Sequence, residues 1–398
     1  PGYSQKDGYF RFSWSMLEGG KDQYLFDAAF KKQAEMVFAR GGRFSFGIMT
    51  HYPDAVSPHR LNYDGGYSVY PEYLHKMMQA ESVKDWRASN GAWVPNWNSE
   101  AYLTRLLALH KALDKYIKEK GWAERISYVD VRGYGAFGEW HSYTIADQMN
   151  QYPAGTRATE TTLKRIIDIH TEGFPDFPLV TLVSTFDANR LGNTMNPPGV
   201  AYHALTTSNR WGKLGWRRDN WGATDDYLRQ YTTGNTYTFN GMRFDTAIMN
   251  RWKYAPVVGE PCCGDANNYN SLVSQVKAAG ATSIGNGNIY SLNATKRANL
   301  IAAGEAAGSR LTIDSAWYKD GQLFIRWFNA GISPLYEKFN VLVKVGSSSF
   351  TTPLANVLPG HSTQSLQVSG KGVVTIEVKN DYRSYPLGIS SNQIGEIK

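Results

Sequence analysis

Cysteine is nearly absent from this chain: of 398 residues only Cys262 and Cys263 carry a thiol, and they are adjacent, so no disulfide framework is encoded. With no second cysteine pair and no histidines clustered at ligand spacing, neither a metal nor a cofactor is expected. Charge is also scarce, at 19% of residues, and the net charge of +7 is mild. No Lys/Arg-rich run and no nucleic-acid-binding motif appears, which argues against a nucleic-acid partner. No apolar stretch reaches the roughly 18 residues of a membrane span, so no membrane partner is expected. The chain opens on Pro1-Gly2 with neither a charged nor an apolar leader segment. A mature chain whose leader has been removed has this form, and so does a chain trimmed at its start; a secreted or periplasmic location is the expectation. A G-x-S-x-G elbow is missing too, which excludes a serine hydrolase of that design.

What is abundant is aromatic residues, at 14%, and glycine, at 38 residues. Rings stack on the C–H faces of sugars, and they also fill cores; both uses stay open. The positive balance suits an acidic or sulfated polysaccharide.

The apolar, β-branched run Ile126 to Val131 reads as a buried strand. It passes into glycine-rich sequence that ends on Glu139, flanked by Trp140 and His141. That form matches the catalytic rim of an α/β barrel, and a buried strand end with a solvated acid is the alternative. Around it, strands and helices alternate. Strands are expected over 9–14, 44–51, 126–131, 178–184, 212–219, 255–261 and 281–285. Helices are expected over 26–39, 71–80, 100–120, 159–171, 198–208, 223–231, 243–251, 269–279 and 294–307. The segment from Tyr52 to Asn98, rich in Pro, Gly, Tyr and Trp, reads as a cleft wall. The pattern predicts a (β/α)8 TIM-type barrel over residues 1–308, with seven strands visible and the first expected before Pro1 or within residues 1–8. From Leu311 onward, period-two segments predict a small antiparallel β-sandwich over residues 309–398.

Two of these strands end on glycine and then an acid: Gly138-Glu139 and Gly259-Glu260. In a barrel both ends face one cleft, and paired carboxylates are the equipment of glycoside hydrolysis. With one strand lost at the start, Glu139 falls on strand four and Glu260 on strand seven. This resembles the clan A retaining glycoside hydrolases, the (β/α)8 superfamily that includes β-galactosidases and agarases. The run Arg11-Phe-Ser-Trp14, Glu18 and Tyr24-Leu-Phe-Asp27 is similar to the strand-two segment of its β-galactosidase-like families. The resemblance implies Glu139 as acid/base and Glu260 as nucleophile. It also implies cleavage of a β-linked, galactose-containing polysaccharide or oligosaccharide, with sulfation as a candidate feature. Gly138 departs from the pattern, since many clan members carry Asn there. A non-catalytic carbohydrate-binding protein on a barrel scaffold is the rival reading.

Other substrate-binding candidates follow the same logic. Arg11 sits where the clan often has an arginine beside the nucleophile, or it is structural. Trp14 and Trp140 adjoin the two motifs. His51 and His141 are hydroxyl donors or structural histidines. Trp211, Trp216 and Trp221, with Arg217, Arg218 and Asp219, form an aromatic and basic stretch suited to a sugar ring and an anionic group, or to packing. Asn286 and Asn288 follow the last strand and could bind hydroxyls. Cys262 and Cys263 form either a strained vicinal disulfide or two buried thiols.

Overall fold

The computed structural model describes residues 7–53, 60–141, 153, 155–182, 197–219, 221–222, 238–261, 269–287, 292–387 and 393–397. Cys262, Cys263, Asn288 and the helix expected over 223–231 lie outside the described residues. The chain divides into two compact units, residues 1–219 with 225–256, and residues 220–224 with 257–398. The change of texture at Gly308 falls inside the second.

The first unit is built on parallel strands that pair in chain order: β1 (Gly8–Ser13), β2 (Phe44–Met49), β3 (Ile126–Val131), β4 (Leu179–Leu182) and β5 (Gly215–Arg218). Between and after them run α1 (Lys32–Phe38), α2 (Glu72–Gln79), α3 (Glu100–Glu119), α4 (Glu160–Gly173), α5 (Pro198–Thr206) and α6 (Phe244–Met249). Parallel strands with helical crossovers make a half-barrel arrangement, where the alternation predicts a full (β/α)8 barrel. The longest helices start where capping chemistry allows. Ser99 Oγ accepts from the backbone N–H of Tyr102, and Thr159 Oγ1 from that of Thr162, satisfying donors that the first turn leaves open. Leu103, Leu106, Leu113 and Ile117 then keep one face of α3 buried.

Alternation along the strands sorts side chains by face. On one face Phe12, Phe44 and Phe46 pack around Phe30, with the Phe30–Phe46 rings edge-to-face at 5.0 Å. Each buried ring contributes roughly 2–3 kcal/mol. The opposite face carries Tyr9, Arg11, Gly47, Tyr128 and Asp130, with Gly47 paired to both Arg11 and Asp130.

Three expectations change. The helix over 26–39 begins with a π-helical turn, Asp27–Lys31, before α1. The wall from Tyr52 to Asn98 holds two small hairpins besides α2, one pairing Leu61–Tyr63 with Gly66–Ser68 and one pairing Trp86–Arg87 with Trp93–Val94. Residues 281–285 are not a strand.

The second unit opens with β6 (Val257–Gly259), followed by α7 (Leu272–Ala278) and α8 (Ala294–Ala306). Residues 281–285 run beside β6 through two bonds, Thr282 N to Val257 O at 2.7 Å and Gly285 N to Gly259 O at 2.6 Å, too few for a ladder. Then come β7 (Leu311–Lys319), β8 (Gln322–Asn329), β9 (Phe339–Val345), β10 (Ser348–Leu354), β11 (Gly360–Gln367), β12 (Gly372–Lys379) and β13 (Gln393–Ile397). They form two antiparallel sheets, β7-β8-β11 and β10-β9-β12-β13. Ile325 and Trp327 from the first and Val341, Val343 and Ile376 from the second belong to one buried cluster. Among the described residues, no helix is long and apolar enough to cross a membrane.

Candidate active site

β3 ends in a turn with unusual backbone. Gly133, Gly135 and Gly138 have φ of +90°, +82° and +70°, and the non-glycine residues Phe137 and Trp140 have φ of +55° and +59°. Left-handed backbone at a bulky residue costs about 1–3 kcal/mol and persists only where its surroundings enforce it. Here they do. Ala136 N donates to His141 O at 2.9 Å and Trp140 N to Tyr134 O at 3.1 Å, which closes the turn. The Trp140 indole N–H reaches back to Val131 O at 2.6 Å, and Tyr102 OH holds Gly133 O at 2.5 Å. Gly133 to Gly138 also has the G-x-G-x-x-G spacing of a dinucleotide loop after a strand. Instead of opening a helix whose N–H groups could cradle a phosphate, it folds into a single 3-10 turn, Ala136–Gly138.

The turn presents Glu139. Arg11 Nη1, from β1, donates to Glu139 Oε1 at 2.5 Å, and His141 Nε2 lies 3.3 Å from Oε2. These three side chains keep 33%, 18% and 29% exposure for Arg11, Glu139 and His141, so solvent and a ligand can reach them. Beneath them lies a charged layer in which Asp130, Arg132 and Arg217 are buried and Asp219 is partly exposed. Arg132 Nε donates to Asp130 Oδ2 at 2.7 Å and to Tyr9 OH at 3.0 Å, and Tyr9 OH donates to Asp130 Oδ2 at 2.6 Å. Arg217 Nε donates to Asp219 Oδ1 at 2.5 Å, and its guanidinium lies 4.2 Å from the centre of the Tyr9 ring. Arg132 Nη2 faces Asp219 Oδ2 at 3.5 Å.

Charges in this layer tune one another. Burial works to raise Asp219, but Arg217, Arg132 and Arg11 outweigh it and hold its carboxyl well below the usual range. Burial drives the Tyr9 phenol well above its ordinary value despite the arginines around it. Burial alone would lower Arg132; Asp130, Tyr9 and Asp219 reverse that and raise it. Arg132, Asp130 and Tyr9 are members of the site that sequence reasoning missed. Their signal was present in Val129-Asp130-Val131-Arg132, where acid and base alternate with valine inside a strand read as simply buried.

Of the expected residues, the structure brings together Arg11, Glu139, His141, Arg217 and Asp219. Several others are corrected. Trp14, Trp140, Trp216 and Trp221 are completely buried, so their rings pack and offer no stacking face to a sugar. The Trp14 indole N–H is spent on Glu18 Oε2 at 2.8 Å, and that of Trp216 on Ile248 O at 3.1 Å. Arg217 and Arg218 are equally inaccessible, which removes them from contact with an anionic group. His51 is buried as well, and burial lowers it to about 4. Trp211 lies in the loop that enters β5, where Arg210 N bonds Pro175 O and Asn209 bonds Phe174 and Phe177 carbonyls. That is the opposite strand end from Asp219.

In the second unit, Glu260 follows β6 and is partly exposed, with its backbone oxygen accepting from Trp221 N at 3.3 Å. Gly285 lies against it: a Cβ there would come 3.2 Å from Glu260 Cβ. Asn286 is next along the chain and also partly exposed.

No protein-family model matches the chain, and no curated protein matches it. Among solved structures it is similar to a family 39 glycoside hydrolase from the gut symbiont Bacteroides cellulosilyticus WH2. The TM-score is 0.33 and identity 10%, covering 92% of this chain and 75% of that one. It is similar also to an Anoxybacillus α-amylase, with a TM-score of 0.25 and 11% identity, covering 88% and 78%. Likenesses this slight carry no argument about chemistry.

Proposed function

We propose that the chain is a retaining glycoside hydrolase whose two catalytic carboxylates are Glu139 and Glu260. The observation that supports it is Glu139 itself: a solvent-reachable carboxylate on a strained turn at the C-terminal end of a parallel strand, gripped by Arg11 and His141. Strain of this kind at a strand end marks functional positions in α/β folds. In the proposed double displacement one carboxylate attacks the anomeric carbon while the other protonates the departing oxygen. Water, deprotonated by that second group, then releases the sugar. The resemblance drawn from the two Gly-Glu motifs gives protonation to Glu139 and attack to Glu260. The substrate in this proposal is a β-linked, galactose-containing polysaccharide or oligosaccharide, with sulfate as a candidate substituent. Residues 1–308 act as the catalytic barrel, 309–398 form a β-sandwich, and the setting is extracellular or periplasmic.

The test is reducing-end release from agarose, carrageenans, porphyran and plant galactan, with product anomers followed by NMR. Products that keep the substrate's configuration support double displacement, and inverted products exclude it. A second reading, a carbohydrate-binding protein without turnover, is favoured by Arg11 already occupying Glu139 Oε1. Binding to one of these glycans with no release of ends would establish it.

A further inference from the structure

Arg132 is fully buried at the end of β3, where a substrate does not reach it. It nevertheless spends each part of its fork on a different member of the site. Nε holds Asp130 and Tyr9. Nη1 donates to the carbonyl of Phe137 at 2.6 Å and faces Glu139 Oε1 at 3.7 Å. Nη2 faces Asp219. A guanidinium is the side chain that can do this, because its donors are fixed in one plane at set angles.

Two glycines make room for it. A Cβ on Gly47 of β2 would fall 2.7 Å from Arg132 Cδ, and a Cβ on Gly138 would fall 2.9 Å from Arg132 Cβ. Gly138 also has φ of +70°. The residue before Glu139 is therefore glycine for a local reason: the arginine side chain lies where a side chain at 138 would go. Phe137, whose carbonyl Arg132 holds, is itself left-handed. The arginine thus fastens the turn two residues before Glu139.

We propose that Arg132 is the positioning residue of Glu139, acting through the Phe137 carbonyl and through its charge beside Oε1. This rests on the glycosidase reading for its kinetic consequence, though not for its structural one. The test compares wild type with Arg132→Lys and Arg132→Ala, using phenyl β-glycosides of galactose, glucose and xylose, whose leaving group needs protonation. Backbone exchange is followed by mass spectrometry in parallel. Lysine keeps the charge and loses the fork. The expected result for Arg132→Lys is a kcat at least about 30-fold lower with KM within about 3-fold, since binding contacts are untouched. Guanidinium ion added to Arg132→Ala is expected to restore part of kcat. Amides over 133–141 exchange at least about 10-fold faster, while those of β1 and β4 keep their wild-type rates.

Full kcat in Arg132→Lys overturns the proposal. So does loss of protection spread evenly over the sheet, which a merely structural role would produce. A wild type inactive on all three glycosides counts against the glycosidase reading alone, and the exchange pattern still decides whether Arg132 holds the turn.

Discussion

Glu18 and Glu139 are two arginine-bound glutamates of the same unit, and they are built in opposite ways. Glu18 is sealed from solvent and accepts from Trp14 Nε1, Tyr73 OH, the Asp22 backbone N–H and Arg105 Nη2, all between 2.6 and 2.9 Å. Its backbone is ordinary extended chain. Glu139 keeps 18% exposure between the left-handed residues Gly138 and Trp140, beside an arginine that is itself one-third exposed. A satisfied acid on relaxed backbone is suited to holding a fold together, and a reachable acid on a strained turn is suited to chemistry. Charge and pairing alone would not tell the two apart.

The sharpest way to break this contrast is Glu139→Gln, which keeps shape and removes charge. Turnover on any glycan the wild type cleaves is expected to fall on the order of 10³–10⁴-fold, with the thermal midpoint nearly unchanged. Near-wild-type turnover would put Glu139 in the same class as Glu18. The mirror experiment is Glu18→Ala. It leaves Arg105 buried with one acceptor fewer and is expected to cost about 3–5 kcal/mol in urea unfolding. A loss below ~1 kcal/mol would mean that the sealed acid is not structural.

Acid extends the contrast to histidine. Burial pushes both His51 and His170 from 6.5 down to about 4. The unfolded chain therefore takes up their protons first as pH falls below about 6.5. Stability declines between there and pH 4, by on the order of 3 kcal/mol for each residue, and levels off below. Urea midpoints at pH 7, 5.5 and 4 read this directly; a flat series refutes it. His75 runs the other way. Burial opposes its charge, but Asp85 and Asp64, at 2.8 and 3.0 Å, raise it, so its contribution is present below 6.5 and fades as pH rises past its folded value. The smallest effect belongs to Phe137→Gly. It relieves left-handed strain and loses an edge contact with Tyr52, so stability is expected to move by less than ~1 kcal/mol. Turnover drops several-fold as the turn loosens; unchanged turnover would show that strain at 137 plays no part.

Much of the first unit was legible in the chain. Phe44 to Met49 and Ile126 to Val131 are buried strands because apolar runs of that length between glycines leave little choice. Glu139 was legible as an acid after a strand. What hid was depth. Arg217 and Arg218 look like a surface pair in sequence, yet both are buried, and Arg217 is compensated there by Asp130 and Asp219. The tryptophans were misassigned for a related reason: rings fill cores as readily as they line clefts, and the indole N–H found carbonyls or Glu18. Residues 281–285 have strand-like composition, but hydrogen-bond partners decide strands, and only two backbone bonds link them to β6.

The buried layer under the site carries a further consequence for how this chain can drift. Asp130, Arg132, Asp219 and Arg217 alternate in sign, each within 3.5 Å of an opposite charge. Losing any one leaves its neighbour uncompensated, and Asp130, Arg132 and Arg217 have no solvent to screen them. Inheritance at these four positions is therefore expected to be collective: close kin keep the whole set, and more distant kin exchange opposite charges in pairs. A survey of related chains in which one position varies freely while the other three stay put would contradict that expectation.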